Sequence, residues 1–496
     1  MIKQLKFATK PLAIALMLST VPSIVNANNI LKALRVNNSE LPAAIKIADD
    51  KAKEEWAYST GIQAVMFTIP LVMHDVQRDI RSNLKLIERI KDTCPCAPLG
   101  QWGHNAKLAT SDDVMPYTPN RDTVYSGLGM DLAKEPIIIT VPPIKDRYYS
   151  IQIGDAYIVN THYIGTRATG TDGGNYALVG PDFKGTLPQG VVELRMPHNA
   201  AIAALRIASY TETAEDLAIV EKYQQQFDAV PLSQWGLDKS ERTFELPTLA
   251  PTNMGKGPLA YFSYASQLLR ESPPKASDMA ALNTFKHIGL TLDKPFDPTS
   301  LDPAIARGLA RSVQAAIDII KWKVKFRGTQ SEHKWNVDFV GGAYGTDYLA
   351  RAEGAVQGLF VHSPEEAIYF HTYSDINNAP LLGSKEYTLH FTKEQLATTS
   401  ETGFWSITMY GDDYQLVSNS IDRFNIRKST KGLNYNDDGS LTLYIQRKPP
   451  EGHESNWLPT PEKGIFRLNY RIYLPDEPMR QWQTVENYLP GVTPVK

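Results

Sequence analysis

Tyr148-Tyr149-Ser150-Ile151-Gln152-Ile153 and Phe404-Trp405-Ser406-Ile407-Thr408-Met409 are two renderings of one pattern in a single chain. After one extra residue, Tyr410, the match resumes, with Gly154-Asp155-Ala156-Tyr157 against Gly411-Asp412-Asp413-Tyr414. Upstream, Tyr125, Asp131 and Pro136 keep the mutual spacing of Tyr369, Asp375 and Pro380. Two matches in the same order argue for an internal duplication. In each hexamer an aromatic and two aliphatic residues share one face of a strand, and the serine lies on the other. A strand with one apolar face packs it on a second sheet, so each copy predicts a β-sandwich or jelly roll.

The surrounding grammar agrees with that unit. Val72, Val76, Ile80, Leu84, Ile87 and Ile90 form one helical stripe, in which Pro70 is expected to kink or restart the helix. Asp302-Pro303 is an N-cap followed by proline at the first helical position, opening a stripe through Ile320 and Val324. A second helix is expected from Asp347 to Phe360, capped by Thr346. Phe466, Leu468, Tyr470 and Ile472 alternate with Arg467, Asn469, Arg471 and Tyr473, the pattern of a half-buried antiparallel strand. The expected fold is α+β and β-rich, with two tandem β-sandwich (jelly-roll-like) domains and helical N-terminal and inter-domain segments. The boundaries are a signal segment at 1–27, a helical segment at 28–118 and a first sandwich unit at 119–212. A helical connection at 213–330 leads to a second sandwich domain with a short helix at 331–496.

Lys3, Lys6 and Lys10 precede a mostly apolar run from Pro11 to Val25, and Val25 and Ala27 fit the positions before a signal-peptidase cut. Cleavage after Ala27 is expected, giving a periplasmic or secreted protein without an integral membrane segment. The apolar run is shorter than the ~20 residues that span a bilayer. Formal net charge is −3, and loss of the three signal lysines makes it −6. Such a chain has no basic footprint for nucleic acid. The only cysteines, Cys94 and Cys96, read as a local disulfide at a helix end, with a redox role as the alternative. Oligomeric state is not legible.

The chain resembles the bacterial tandem arrangement of domain of unknown function 1254 followed by domain of unknown function 1214. The resemblance covers nearly all of the chain after the signal segment. It is carried by Pro119-Asn120-Arg121-Asp122-Thr123-Val124-Tyr125, Arg147-Tyr148-Tyr149 and Gly165-Thr166-Arg167 in the first part. In the second part it is carried by Arg351-Ala352, Phe404 to Tyr410, Asn456-Trp457-Leu458-Pro459 and Arg471-Ile472-Tyr473. It implies β-rich tandem domains and bacterial export, and it fixes no activity.

Familiar catalytic signatures are missing. No Gly-x-Ser-x-Gly elbow, His-Glu-x-x-His or Walker-type loop occurs, and the ten histidines are scattered. No metal site and no cofactor are expected. Asp155, echoed by Asp412, reads as a strand-end carboxylate for acid/base work or as a turn residue bonding nearby amides, the commoner use. Asn120-Arg121-Asp122 reads as a polar binding loop or a tie between domains. Trp457, Asn456 and Tyr410 offer aromatic faces and an amide to a sugar. Arg471 reads as half of a buried arginine–carboxylate pair linking the domains. The expected function is an exported glycan-processing hydrolase cutting a glycosidic or glycan–amide bond in an inter-domain cleft. Asp155 and Asp122 would be acid and base, while Asn120, Arg121, Tyr125, Arg167, Tyr410, Asp412, Asn456 and Trp457 would bind substrate. The alternative is a non-catalytic carbohydrate-binding or envelope-scaffold protein with a small-molecule or glycan ligand.

Overall fold

The computed structural model describes residues 42–83, 87, 94–113, 118–243 and 254–495. The signal segment with its cut after Ala27, and Leu84 and Ile90 of the helical stripe, lie outside the described residues. Six α-helices are described: α1 (Pro42–Ser82), α2 (Ala214–Gln224), α3 (Ala260–Glu271), α4 (Met279–Phe285), α5 (Pro303–Lys325) and α6 (Tyr348–Gln357). None is long and apolar enough to cross a membrane.

The first sandwich contains β1 (Gly103–Asn105), β2 (Thr123–Asp131), β3 (Ile137–Val141), β4 (Tyr149–Asp155) and β5 (Asn160–Gly165). It continues with β6 (Gly174–Val179), β7 (Val191–Arg195), β8 (Ala200–Ala208) and β9 (Asp228–Pro231). The second contains β10 (Thr329–Gln330), β11 (Asn336–Val337), β12 (Ala367–Thr372), β13 (Tyr387–Phe391) and β14 (Thr399–Gly411). It ends with β15 (Asn425–Arg427), β16 (Leu441–Gln446), β17 (Trp457–Pro459), β18 (Phe466–Pro475) and β19 (Val492–Pro494).

The duplication is complete at the level of topology. The first sandwich has sheets ordered β1-β2-β8-β4-β5 and β7-β6-β3-β9. The second has β11-β12-β18-β14-β15, with β10 added at the edge, and β17-β16-β13-β19. Even the exceptions match: β6 pairs with β7 in parallel, as β16 does with β17, in otherwise antiparallel sheets. Tyr149, Ile151 and Ile153 pack against Ile137, Ile139 and Leu178 of the facing sheet. Trp405, Ile407 and Met409 do the same against Leu389, Phe391 and Leu443. Burying each such side chain contributes about 1.5–3 kcal/mol, which is why the repeated hexamer dictates the sandwich.

Several boundaries differ from the sequence reading. The first sandwich is longer at both ends than 119–212, because β1 joins the edge of β2 and β9 pairs with β3. These strands are three and four residues long, too short to show a period of two. α1 runs through Pro70 without ending. The cap of α6 is Asp347, whose carboxylate accepts the Ala350 N–H, not Thr346. Cys94 and Cys96 are joined as a disulfide. Strand β18 is buried on both faces rather than one, since its polar side meets the other sandwich.

The helices form a third body. α1 packs along α5 through Ala57, Val65, Leu309, Ala316 and Ile320, with α3 beside them. Two glycines set the spacing: a Cβ on Gly308 would collide with the carbonyl oxygen of Glu54, and one on Gly61 with Ser312. Alanine at Gly308 would gain about 1 kcal/mol of helix propensity. Against that stands about 1–3 kcal/mol of overpacking against backbone that cannot yield. Gly308→Ala should therefore lower the thermal midpoint. A raised midpoint would show that the helices do not approach this closely.

Candidate functional site

The two sandwiches meet through the outer faces of their larger sheets. Arg206 on β8 lies between Tyr125 of β2 and Ser150 of β4. Arg471 on β18 lies between Tyr369 of β12 and Ser406 of β14, the same position in the second copy. Arg206 Nη1 donates to Gln152 Oε1 at 2.6 Å, and Arg471 Nη1 donates to Thr408, the repeat counterpart of Gln152, at 3.1 Å. The carboxylates cross over. Asp122 Oδ2 accepts from Ser406 Oγ at 2.6 Å, and its other oxygen accepts from Asn425 at 2.9 Å. Glu366, three residues before Tyr369 as Asp122 is before Tyr125, lies 2.8 Å from the Tyr148 hydroxyl, which is 2.9 Å from Ser150. Tyr148 and Phe404, the first aromatics of the two hexamers, touch with ring centroids 6.0 Å apart. These are the reciprocal contacts of an isologous interface.

Between these faces is a cavity of about 540 Å³, bounded by β2 and β8, by β12 and β18, by α1, and by the chain following α6. That is the size of a small-molecule site. Six lining residues are cationic (Arg81, Lys107, Arg206, Arg327, Arg467 and Arg471), and one, Asp113, is a carboxylate. Arg327 is met by Asp338 at 2.8 Å and by Glu353 at 3.6 Å. Among the described residues, no carboxylate pairs with Arg206, Arg467 or Arg471. Arg206 donates to the Tyr125 hydroxyl, Gln152 and the Phe360 carbonyl. Arg471 donates to Thr408 and to the Thr118 carbonyl. Arg467 is held between the rings of Tyr373 and Tyr414, 4.8 and 4.9 Å from its guanidinium carbon, and donates to Asn469 at 3.1 Å.

The electrostatics follow from that burial. Desolvation lowers the pKa of Arg467, 2 % exposed, and also that of Arg81. Burial, with Arg467 and Arg327 nearby, holds His371 far below the usual imidazole value, so it is neutral. Burial raises the Tyr125 phenol, but Arg206 beside it, with hydrogen bonds to Thr123 and Asn120, leaves the group below its ordinary value. Arg467 Nη1 and His371 Nε2 are both buried and have no hydrogen-bond partner.

Two residues expected to bind substrate, Asn120 and Tyr125, line this cavity. The expected acid–base pair does not come together. Asp155 sits opposite Ala201 on β8, whereas the Asp122 carbonyl accepts from Ser209, just past the far end of that strand. Eight residues of strand separate them by roughly 26 Å, when paired-carboxylate chemistry needs about 5–10 Å. Asp155 is fully buried, and its Oδ1 accepts the Tyr157 and Val159 amides in a turn. Its other oxygen faces His198 at 3.8 Å and Lys275 at 3.9 Å.

The remaining expectations are corrected one by one. Arg121 binds Glu212 at 2.9 Å and lies over Phe424, tying a loop rather than gripping a ligand. Arg167 bonds Glu366 at 2.6 Å and lines a separate cleft of about 1230 Å³ with Lys145, Tyr210, Phe404 and Lys428, outside the arginine-lined cavity. Tyr410 is buried and donates to the Pro119 carbonyl at 2.7 Å. Trp457 is 6 % exposed, with its indole N–H on the Gln446 carbonyl, so it offers no face to a sugar. Asn456 is buried and braces the backbone at Asn434 and Thr442. Asp412 is exposed on a turn outside the cavity lining. Arg471 links the domains, but through the Thr118 carbonyl instead of a carboxylate, while its bond to the Thr408 hydroxyl stays within its own sandwich. Sequence reasoning missed Arg206, Arg467 and His371. For Arg206 a signal was present: Leu205-Arg206-Ile207, like Tyr470-Arg471-Ile472, places one arginine in an apolar strand.

Residues 99–231 match the family described as Protein of unknown function (DUF1254), and residues 366–477 match Protein of unknown function (DUF1214). The first match ends with β9, and the second begins at Glu366. The VPA0106 protein from Vibrio parahaemolyticus superposes with a TM-score of 0.63 at 21 % identity, covering 89 % of this chain and 100 % of that one. An uncharacterized protein from Burkholderia cenocepacia aligns with a TM-score of 0.43 at 12 % identity, over 90 % of this chain and 96 % of that one. No curated protein matches the chain.

The crossing carboxylates give a direct test. Asp122→Ala should destabilise the protein by about 2–4 kcal/mol, since it leaves the buried Ser406 hydroxyl and Asn425 amide without their acceptor. Ser406→Ala should cost about 1–2 kcal/mol. In urea unfolding, the double variant should fall short of the sum by at least about 1 kcal/mol. Strict additivity would mean that the bond across the interface is not made.

Proposed function

We propose that this chain, a member of the tandem family in which DUF1254 is followed by DUF1214, binds a small organic anion in the cavity between its two sandwiches. One observation carries the reading: Arg206, Arg467 and Arg471 line one partly open cavity with no paired carboxylate among the described residues, and Arg467 keeps a buried Nη1 without an acceptor. Burial disfavours the charge of Arg467, and a carboxylate or phosphate-type ligand would offset that cost by charge-assisted hydrogen bonds. The glycan-processing idea keeps its inter-domain location, with an acidic sugar as one ligand of the right charge, but loses Asp122 and Asp155 as its acid and base. Tyr125, with its phenol below the ordinary value beside Arg206, is the group in the cavity best suited to move a proton. The basic and apolar N-terminal stretch supports an encounter with this ligand in the periplasm or outside the cell.

Thermal-shift and calorimetric titrations with carboxylates, phosphate monoesters, uronates and matched neutral sugars test the proposal. Anions should raise the midpoint, by the equivalent of about 2.7 kcal/mol at a hundredfold excess over Kd. Neutral analogues should not, and added salt should weaken the effect. Equal stabilisation by neutral sugars, or none by any anion, would sink it.

A further inference from the structure

Each sandwich's wall of the cavity carries a guanidinium beyond the matched pair Arg206 and Arg471, and the two walls obtain it by different means. In the register that equates Arg206 with Arg471, the second sandwich has Arg467 and Asn469 where the first has Ile202 and Ala204, and His371 where the first has Gly127. The first sandwich receives its cation from the helical body instead. Arg81, near the end of α1, lies over the Phe360 ring with its guanidinium carbon 5.4 Å from the centroid. Its Nη1 is 3.7 Å from where a Cβ on Gly127 would stand.

The matched pair is committed to the protein: Arg206 and Arg471 give their N–H groups to hydroxyls, an amide and carbonyls. Arg81 and Arg467 differ. Arg81 Nε and Arg467 Nη1 are both buried without a hydrogen-bond partner, as is His371 Nε2 near Arg467. Aromatic rings hold both guanidiniums in place, and among the described residues neither is paired with a carboxylate. Asp113, the one carboxylate of the lining, accepts the Thr110 amide at 2.7 Å. A single negative charge on a ligand would answer one wall and leave the other guanidinium buried and unpaired, the costly arrangement.

We infer that the ligand is an organic dianion with two separated acid groups, one held by Arg81 at the first wall and the other by Arg467, His371 and Asn469 at the second. Two carboxylates are the simplest such pair, because the planar fork of a guanidinium matches a carboxylate. A cavity of about 540 Å³ has room for a short carbon chain between them. This rests on the anion-binding reading and narrows it to a substrate class, with Arg81 and Arg467 as the specificity-determining residues.

Calorimetry on the full chain tests this with the straight-chain dicarboxylates from butanedioate to octanedioate, the monocarboxylates of equal carbon number, and inorganic phosphate. At one chain length the dicarboxylate should bind at least about tenfold tighter than its monocarboxylate and than phosphate. Arg81→Gln and Arg467→Gln should each weaken that dicarboxylate at least about tenfold and bring it level with the monocarboxylate. Monocarboxylates that match every dicarboxylate, phosphate that exceeds them all, or a preference that survives either variant would overturn the two-point inference and leave the anion site standing. Failure of every anion to bind would overturn both. Should a variant fail to fold, the ratio of dicarboxylate to monocarboxylate affinity on the unmodified protein still decides.

Discussion

Everything in this molecule depends on burying two polar sheet faces against each other. A β-sandwich ordinarily leaves the outer face of each sheet to water. Here Ser150, Gln152, Ser406 and Thr408 are all buried, so each must find a partner in protein instead of solvent. Asp122 and Glu366 meet that demand by reaching across, each to the other copy's repeated strand. A dry apolar join would have been easier to assemble, but it would have left no polar space at its centre. The cavity and the interface that encloses it have one cause.

The helical body serves the same end from outside. α1 reaches the cavity with Met73, Gln77 and Arg81 after packing along α5. The chain beyond α6 brings the Phe360 carbonyl to Arg206. Segments far apart in sequence thus close three sides of one space, which couples the site to the helix packing set by Gly61 and Gly308.

The sandwich was legible because its signal is local. A period of two over six residues needs no knowledge of what lies opposite, and the repeat supplied an internal control. The site was less legible because its signal is not local. Trp457 and Asn456 resemble a sugar platform in sequence, but β17 turns the indole onto the Gln446 carbonyl. Asp155 is a turn residue, the plainer of its two readings. Arg467 and His371 acquire meaning only once the second face of β18 is seen to be buried, and alternation within a strand cannot report that. Asn120 was found as part of a polar loop next to Pro119, and Tyr125 belongs to the repeat's own upstream match with Tyr369.

The reciprocal contacts have a consequence for how such a site can change. In a closed pair of identical subunits every substitution appears twice, so the two sides of a central pocket must stay the same. Joining the copies in one polypeptide lifts that restriction: Ala204 and Asn469 occupy matching places and no longer need to agree. The covalent link between the halves lets a two-fold frame hold a pocket with a front and a back.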